Sequence, residues 1–435
     1  MSLTRIGTAN MYDRTINNIA KQQSDLTSQM EHASAGKRVL RPSDDPVAAA
    51  QAERARTRLS RIDSDQRTLD AQTATIKYGE STLGEINAAV QEFRSLIVNA
   101  GNGAFNQTQR DTLVEQLQSL RSQILSYSNR KDSNGLPLFR GLDTESSSPF
   151  PAGTQGMQSG QTIVIEYTIT NALDGARAFF SGKTGNGVLA VEIGGSNQGT
   201  AWADVGAIKD PSATDLTQTG PQTITFKVVD GITTFSITQV TQVPSLDGNG
   251  DPVLDGNGDP VMDSVHMPVE DGNGTPLTDI AYKSGDPITI AGMALTITGS
   301  PADGDNFTVK NSETMSLFET LDQAIATVKN NVNPDGTTDH GALAHGLAKS
   351  LAELDTQLNR VSTVRGFAGD LLNQAERMGN TLLAQGEQME AQRSAAEDID
   401  MVAALSQLKT QETAVSAALQ SYASIQKLSL FNYIN

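Results

Sequence analysis

The chain has no cysteine in 435 residues, which excludes disulfides, thiolate nucleophiles and thiolate metal sites. That suits an intracellular protein, and equally one exported unfolded through a narrow channel. Aromatic residues make up only 5%, with a single tryptophan, Trp202, whose two readings are a place in a β-rich core and a ligand contact. The four histidines, His32, His266, His340 and His345, form no HExxH frame, and no GxSxG or GxxxxGK[ST] pattern occurs. No GxGxxG opens a helix, so no catalytic residue, cofactor or metal site is expected. His340 and His345, beside Asp339, read as metal ligands or as part of a polar loop after Asn333-Pro334-Asp335-Gly336. No apolar run approaches the length needed to cross a bilayer, and the N-terminus has no apolar core of a secretion signal, so no membrane partner is expected. Positive charge is scarce. A net charge of −18 argues against nucleic acid as partner, because phosphate contacts need a basic surface.

The charge is uneven. Residues 146 to 315 hold six Lys and Arg against nineteen Asp and Glu, thirteen of the net −18, together with 23 of the 38 glycines and 11 of the 15 prolines. Residues 335 to 435 contain no proline. This is a turn-rich insert between two helical arms. Within it, 162–170 (TIVIEYTIT) and 222–229 (QTITFKVV) alternate with period two, and 288–298 (ITIAGMALTIT) reads as another strand. A tandem LDGNGDPV at 246–253 and 254–261, with a looser EDGNGTPL at 270–277, allows two readings. Asp247, Asn249 and Asp251 have the spacing that opens a calcium loop, but Pro252 and Gly258 stand where an EF-hand needs glycine and glutamate. Repeated surface turns are the other reading.

The two ends carry matching heptad seams. One runs through Ala9, Tyr12, Ile16, Ile19, Gln23, Leu26, Met30 and Ala33, the other through Met401, Ala404, Leu408, Gln411, Val415, Ala418, Tyr422 and Ile425. A helix with a one-sided stripe is marginal alone, so each seam needs a partner. The chain leaves from one and returns into the other, which predicts antiparallel pairing. The pair either closes a domain as a hairpin or packs against copies of itself, since two helices leave faces uncovered. The expected interface comprises Tyr12, Ile16, Ile19, Leu26, Met30, Leu408, Val415, Leu419, Tyr422 and Ile425.

Between the seams lies a rod. Pro42, Ser43, Asp44, Asp45 and Pro46 form a corner, with Asp45 as N-cap and Pro46 in the first helical position. Adjacent carboxylates there read as cap and corner rather than acid and base. The second helix carries Leu59, Ile62, Leu69, Ile76, Leu83, Ile86, Val90, Phe93 and Ile97 and stops at Gly101-Asn102-Gly103. Asn106 and Gln109 form a capping box for a third, with Leu113, Leu117, Leu120, Ile124 and Tyr127 on one face. Leu347, Leu351, Leu354, Leu358 and Val361 start the return helix, continued by Leu371, Ala375, Met378 and Leu382. The fold class is therefore α+β and multidomain: coiled-coil arms and a long-helix bundle from both termini, with an all-β inserted domain. The segments are 1–42, a terminal helix pairing with 397–435; 43–145 and 316–396, the halves of the rod; and 146–315, the acidic outer domain.

The run SAGKRVLRPSDDPVAAAQ at 34–51, followed by a long helix, resembles the N-terminal signature of flagellin-type axial proteins. Gly36-Lys37-Arg38 and Pro42-Ser43-Asp44-Asp45-Pro46 resemble the hook-filament junction family, the third hook-associated proteins, more than flagellins, which show an Asn-Ser-Ala-Lys-Asp-Asp-Ala-Ala type of corner. The ending Lys427-Leu-Ser-Leu-Phe-Asn-Tyr-Ile434 is also similar to that family, rather than to the Leu-Leu-Arg-like end of flagellins. Thr4-Arg5-Ile6 stands where the family begins Met-Arg-Ile, leaving three residues as an extension. The resemblance covers residues 4–145 and 316–435 and stops at the insert.

What it implies is a non-enzymatic structural adaptor of the extracellular bacterial flagellum, exported by the flagellar type III apparatus. Its terminal helices would form the innermost tube after assembly, with the insert facing solvent. The implied partners are copies of itself in a ring, the upstream hook-associated protein, flagellin, and a cytoplasmic export chaperone on the C-terminal helix. A flagellin filament subunit is the nearer alternative, and an axial protein whose insert binds calcium or a glycan the farther one.

Overall fold

A computed structural model describes residues 8–103, 105–140, 172–217, 220–245, 262–270, 274–330 and 339–431. The helices are α1 (Thr8–Ala35), α2 (Pro46–Ala100), α3 (Gln107–Ser128), the short α4 (Gly175–Phe179), α5 (Leu317–Asn330), α6 (His340–Glu397) and α7 (Met401–Phe431). The strands are β1 (Gly182–Lys183), β2 (Leu189–Ile193), β3 (Trp202–Ala203), β4 (Ala207–Ile208), β5 (Gln222–Val229), β6 (Ile232–Pro244), β7 (Met262–Pro268), β8 (Ile280–Ala281), β9 (Pro287–Ile290), β10 (Met293–Thr298), β11 (Asn306–Asn311) and β12 (Thr314–Met315). Long helices from both ends of the chain flank a β-rich insert. Two compact units divide the chain, one from residues 1–71 and 375–435, the other from 72–374.

In the second unit the helical seams are buried as the periodicity requires. Leu83, Ile86, Val90, Phe93 and Ile97 of α2, Leu117 and Ile124 of α3, and Leu354 and Val361 of α6 are all sealed from solvent. Both halves of the capping box are present at α3, with Asn106 and Gln109 each bonding the other's backbone. Bidentate pairs tie the helices at their rims: Arg94 to Asp355, Arg130 to Glu85 and Arg121 to Asp322. The sequence seams did not single out α5, whose Leu317, Leu321, Ala324 and Val328 are buried.

The insert's sheet runs β2-β11-β5-β6-β7, antiparallel throughout, and a second sheet centres on β10 with β3, β4 and β9. β5 alternates as expected, burying Gln222, Ile224 and Phe226. One core is shared by both sheets, with Phe226 edge-on to Phe307 and to Tyr282. The expected strand over 288–298 is instead the hairpin β9–β10. Ala291 and Gly292, at φ 48° and 68°, form its two-residue turn, and a Cβ on Gly292 would come 2.3 Å from the Asp210 carbonyl.

Two histidine and tryptophan readings change. Trp202 is half-buried and lies outside the core; its neighbour Ala203 takes the inward position, and successive residues of a strand face opposite ways. His340 and His345 lie not in a polar loop but in α6, because Asp339 accepts from the Ala342 amide and starts the helix there. His345 is buried, with Nδ1 2.9 Å from the Ala203 carbonyl and its ring edge-on to Phe307. On the same face of α6, Glu353 accepts from the Gly185 amide at 3.2 Å and Gln357 donates to the Met315 carbonyl at 3.1 Å. These three side chains fasten the insert to α6. The strand expected at 162–170 and the repeats at 246–261 lie outside the described residues.

Candidate assembly interface

The first compact unit contains both chain ends. α1 ends at Ala35 and α7 begins at Met401, and a bridge between Lys37 and Asp398 holds these ends side by side, so the two helices pack antiparallel. From Ala404 to Tyr422 the α7 stripe is the one the heptads give: Ala404, Leu408, Gln411, Ala418 and Tyr422 are half-buried and Val415 is buried, while Met401 at the head of the expected seam is exposed. On α1 the stripe differs by one position in each heptad. Thr15, Ile19, Gln22, Leu26, Gln29 and Ala33 are half-buried, while Ile16, Gln23 and Met30 are turned out. One partner helix covers only a narrow stripe, and the apolar surface of α1 is broader than that.

Of the expected interface residues, the structure therefore brings Ile19, Leu26, Leu408, Val415 and Tyr422 into the intramolecular seam. Ile16 at 48%, Met30 at 52% and Leu419 at 44% remain exposed, with Val402 and Leu405 beside them on α7. The side chains of Tyr12 and Ile425 lie outside the described residues. The seam itself is partly polar: the Gln22 and Gln29 side-chain carbonyls are buried without a hydrogen-bond partner. Each such group costs about 1–3 kcal/mol, so the pair is weakly held while an apolar flank stays open.

The corner is held far more tightly. Gly36, at φ 69°, ends α1 in the left-handed conformation that favours glycine. Asp44 accepts from the Leu40 and Arg41 amides at 3.0 and 2.8 Å, and these bonds hold its carboxyl below the usual range. Asp45 caps α2 through the Ala48 and Val47 amides, with Pro46 in the first helical position. Those bonds, led by Ala48 and then Arg38, hold its carboxyl low too. Arg38 bonds the Ala396 carbonyl at 2.8 Å, and the Arg38 amide meets the Glu397 carbonyl at 2.7 Å. Glu397, 5% exposed in its side chain, gathers Lys37, Arg56 and Arg393. Burial pushes this carboxyl up, but Lys37 and Arg56 outweigh it and leave the pKa lowered. Sequence reasoning missed Glu397. The signal available was three basic residues at 37, 38 and 41: Arg41 pairs with Glu31 and Arg38 with Asp45, which leaves Lys37 to find its acid elsewhere in the chain.

Family models match the chain at these same two ends. A family model described as the bacterial flagellin N-terminal helical region matches residues 6–144, and the C-terminal helical region matches 351–434, together just over half of the chain. Flagellar hook-associated protein 3 of Salmonella typhimurium is 35% identical over 184 residues, 42% of this chain and 55% of that protein. The Escherichia coli protein of the same name is 26% identical over 433 residues, 98% of each chain. Flagellin of Escherichia coli O127:H6 is 28% identical over 40% of this chain and 31% of its own length. The crystal structure of flagellar hook-associated protein 3 from Legionella pneumophila shares the fold, with a TM-score of 0.62 at 22% identity, over 79% of this chain and 99% of that one. On these matches the chain belongs to the flagellin superfamily, in its hook-associated protein 3 family.

Proposed function

We propose that the chain is a structural adaptor of the bacterial flagellum that joins the hook to the flagellin filament. The observation that carries it is the antiparallel α1–α7 pair, with its polar seam and open apolar flank, in a chain aligned end to end with a hook-associated protein 3. Such a pair gains stability when Ile16, Met30, Leu405 and Leu419 are covered by further axial subunits. The helix pair is the surface we assign to copies of the chain in a ring, to the upstream hook-associated protein and to flagellin. The C-terminal helix α7 is also the segment that an export chaperone would cover before secretion through the type III apparatus. The corner at Pro42–Pro46, fixed by Asp44 and Asp45, sets where α1 leaves α2. The role is mechanical rather than catalytic, as in the family. The acidic insert supplies a charged outer surface that resists self-association.

A filament subunit is the second reading, favoured by the flagellin models matching at both ends. Immunogold labelling of intact flagella with antibody raised to the insert separates the two. Gold in a short zone between hook and filament is expected, and gold along the whole filament overturns the adaptor reading.

A further inference from the structure

Within α2, residues 54–61 hold four arginines, of which Arg56 is bound to Glu397. Arg54, Arg58 and Arg61 recur at steps of four and three, so they share one flank, and all three are exposed. Among the described residues none of them forms an ion pair; Arg58 only touches Met389 through Nη1, at 3.9 Å. Arg54 and Arg58 border an open groove of about 570 Å³ whose floor is the buried Ala48, Ala55 and Ala396, and Arg61 lies one turn beyond it. Arg38, held by Asp45, closes one end. Small floor residues and guanidinium walls suit a carboxylate-bearing helix.

The opposite flank of the same helix carries the complement. Position 63 is nine residues from 54, about two and a half helical turns, so it faces the other way. Asp63 and Asp70, seven apart, share that flank and are exposed, and neither is ion-paired among the described residues. Asp70 accepts only from Gln66 within its own helix, at 3.1 Å. Asp65 on the basic flank and Arg67 on the acidic one lower each net charge without reversing it. The two blocks are offset by roughly 13 Å along the axis.

We infer that α2 makes a staggered side-by-side contact with α2 of a second copy, the Arg54-Arg58-Arg61 flank of one meeting the Asp63-Asp70 flank of the next. Complementary patches on opposite flanks give a heterologous contact, one that propagates from copy to copy and closes into a ring where its rotation allows. A carboxylate patch on a different protein would need no acidic flank on this chain, and the pairing of the two flanks favours a second copy. The inference rests on the adaptor reading for its setting, and adds the residues that match neighbouring copies laterally.

The test is sedimentation of the full chain at low and high salt. Self-association is expected at about 50 mM salt and a several-fold loss at about 500 mM, as charges screen. Arg58→Glu with Arg61→Glu, and separately Asp63→Lys with Asp70→Lys, should each lower the association constant by about tenfold or more. Both sit on exposed positions, and circular dichroism checks that helix content is kept. Mixing the two variants should restore association, since Glu then faces Lys and Arg faces Asp in alternating copies. A wild-type chain that stays monomeric at low salt, or variants that are not rescued by mixing, overturns the contact. Gold at the junction alongside that result would leave the adaptor reading standing, whereas gold along the filament would remove the reading without touching the charge-swap result.

Discussion

Replacing Glu397 with glutamine should loosen the corner where α1, α2, α6 and α7 meet. Its carboxylate is 5% exposed and contacts Arg56 Nη2 at 2.6 Å, Arg393 Nη1 at 3.4 Å, and Lys37. Stranding a partner of a fully buried pair costs about 3–5 kcal/mol. Here the stranded cations are 37%, 45% and 21% exposed and recover water, so the expected loss is nearer 2 kcal/mol. A global melt is the wrong assay, because a chain of two compact units need not unfold in one step. Hydrogen exchange reads the corner directly through the Arg38 and Ile399 amides, which bond Glu397 and Gly36 carbonyls across the join. An opening cheaper by about 2 kcal/mol raises their exchange roughly thirtyfold. The pH dependence has a definite sign. The folded carboxyl is lowered, so its contribution is present above the unfolded carboxylate value and is lost as pH falls through the folded one. In wild type these amides should therefore lose protection below about pH 4.5, and E397Q should lack that step. Unchanged exchange in E397Q would refute the reasoning, and would mean that the backbone bonds alone hold the join.

Two further predictions separate the inner seam from the open flank, and one concerns the insert. Val415→Asp puts an unpaired charge into the α1–α7 seam and should open the pair, whereas Leu419→Asp, on the exposed flank, should keep it closed and still block filament growth. Cross-linking of α1 to α7 checks the first, electron microscopy of complemented cells the second; wild-type filaments with Leu419→Asp would count against the flank as an interface. Burial raises the Glu353 carboxyl and lowers the His345 imidazole, so the two have opposite linkage. The Glu353 term favours the fold at low pH and is lost as pH rises through its raised value, while the His345 term is present above about pH 6.5 and is lost as pH falls below it. Glu353→Gln keeps an acceptor for the Gly185 amide and removes the ionisation cost, so insert unfolding, followed by Trp202 fluorescence, should shift to higher temperature at pH 8 and hardly move at pH 5.

The helical half of the molecule was legible because its signals are local and redundant. Each rod helix carries apolar residues at helical spacing, and the caps at Asp45 and Asn106 are read from side chains that bond amides two or three residues on. Contacts set by tertiary packing were not. His345 and Glu353 look like solvent-facing helix residues until β2 and β3 are laid against them, and Glu397 is one acid among fourteen in the last 120 residues until Lys37, Arg56 and Arg393 converge on it. The α1 stripe shows the same limit in its sharpest form. Ile16, Ile19, Leu26 and Met30 are the large aliphatic residues of the heptad seam read on α1, yet only Ile19 and Leu26 are in the intramolecular pair, with Gln22 and Gln29 beside them. A heptad read from one chain reports the sum of every surface a helix covers, in all its partnerships, and a single copy fills only part of that sum. The apolar residues left out of the pair, Ile16 and Met30, are therefore the ones in which a demand for other subunits is written.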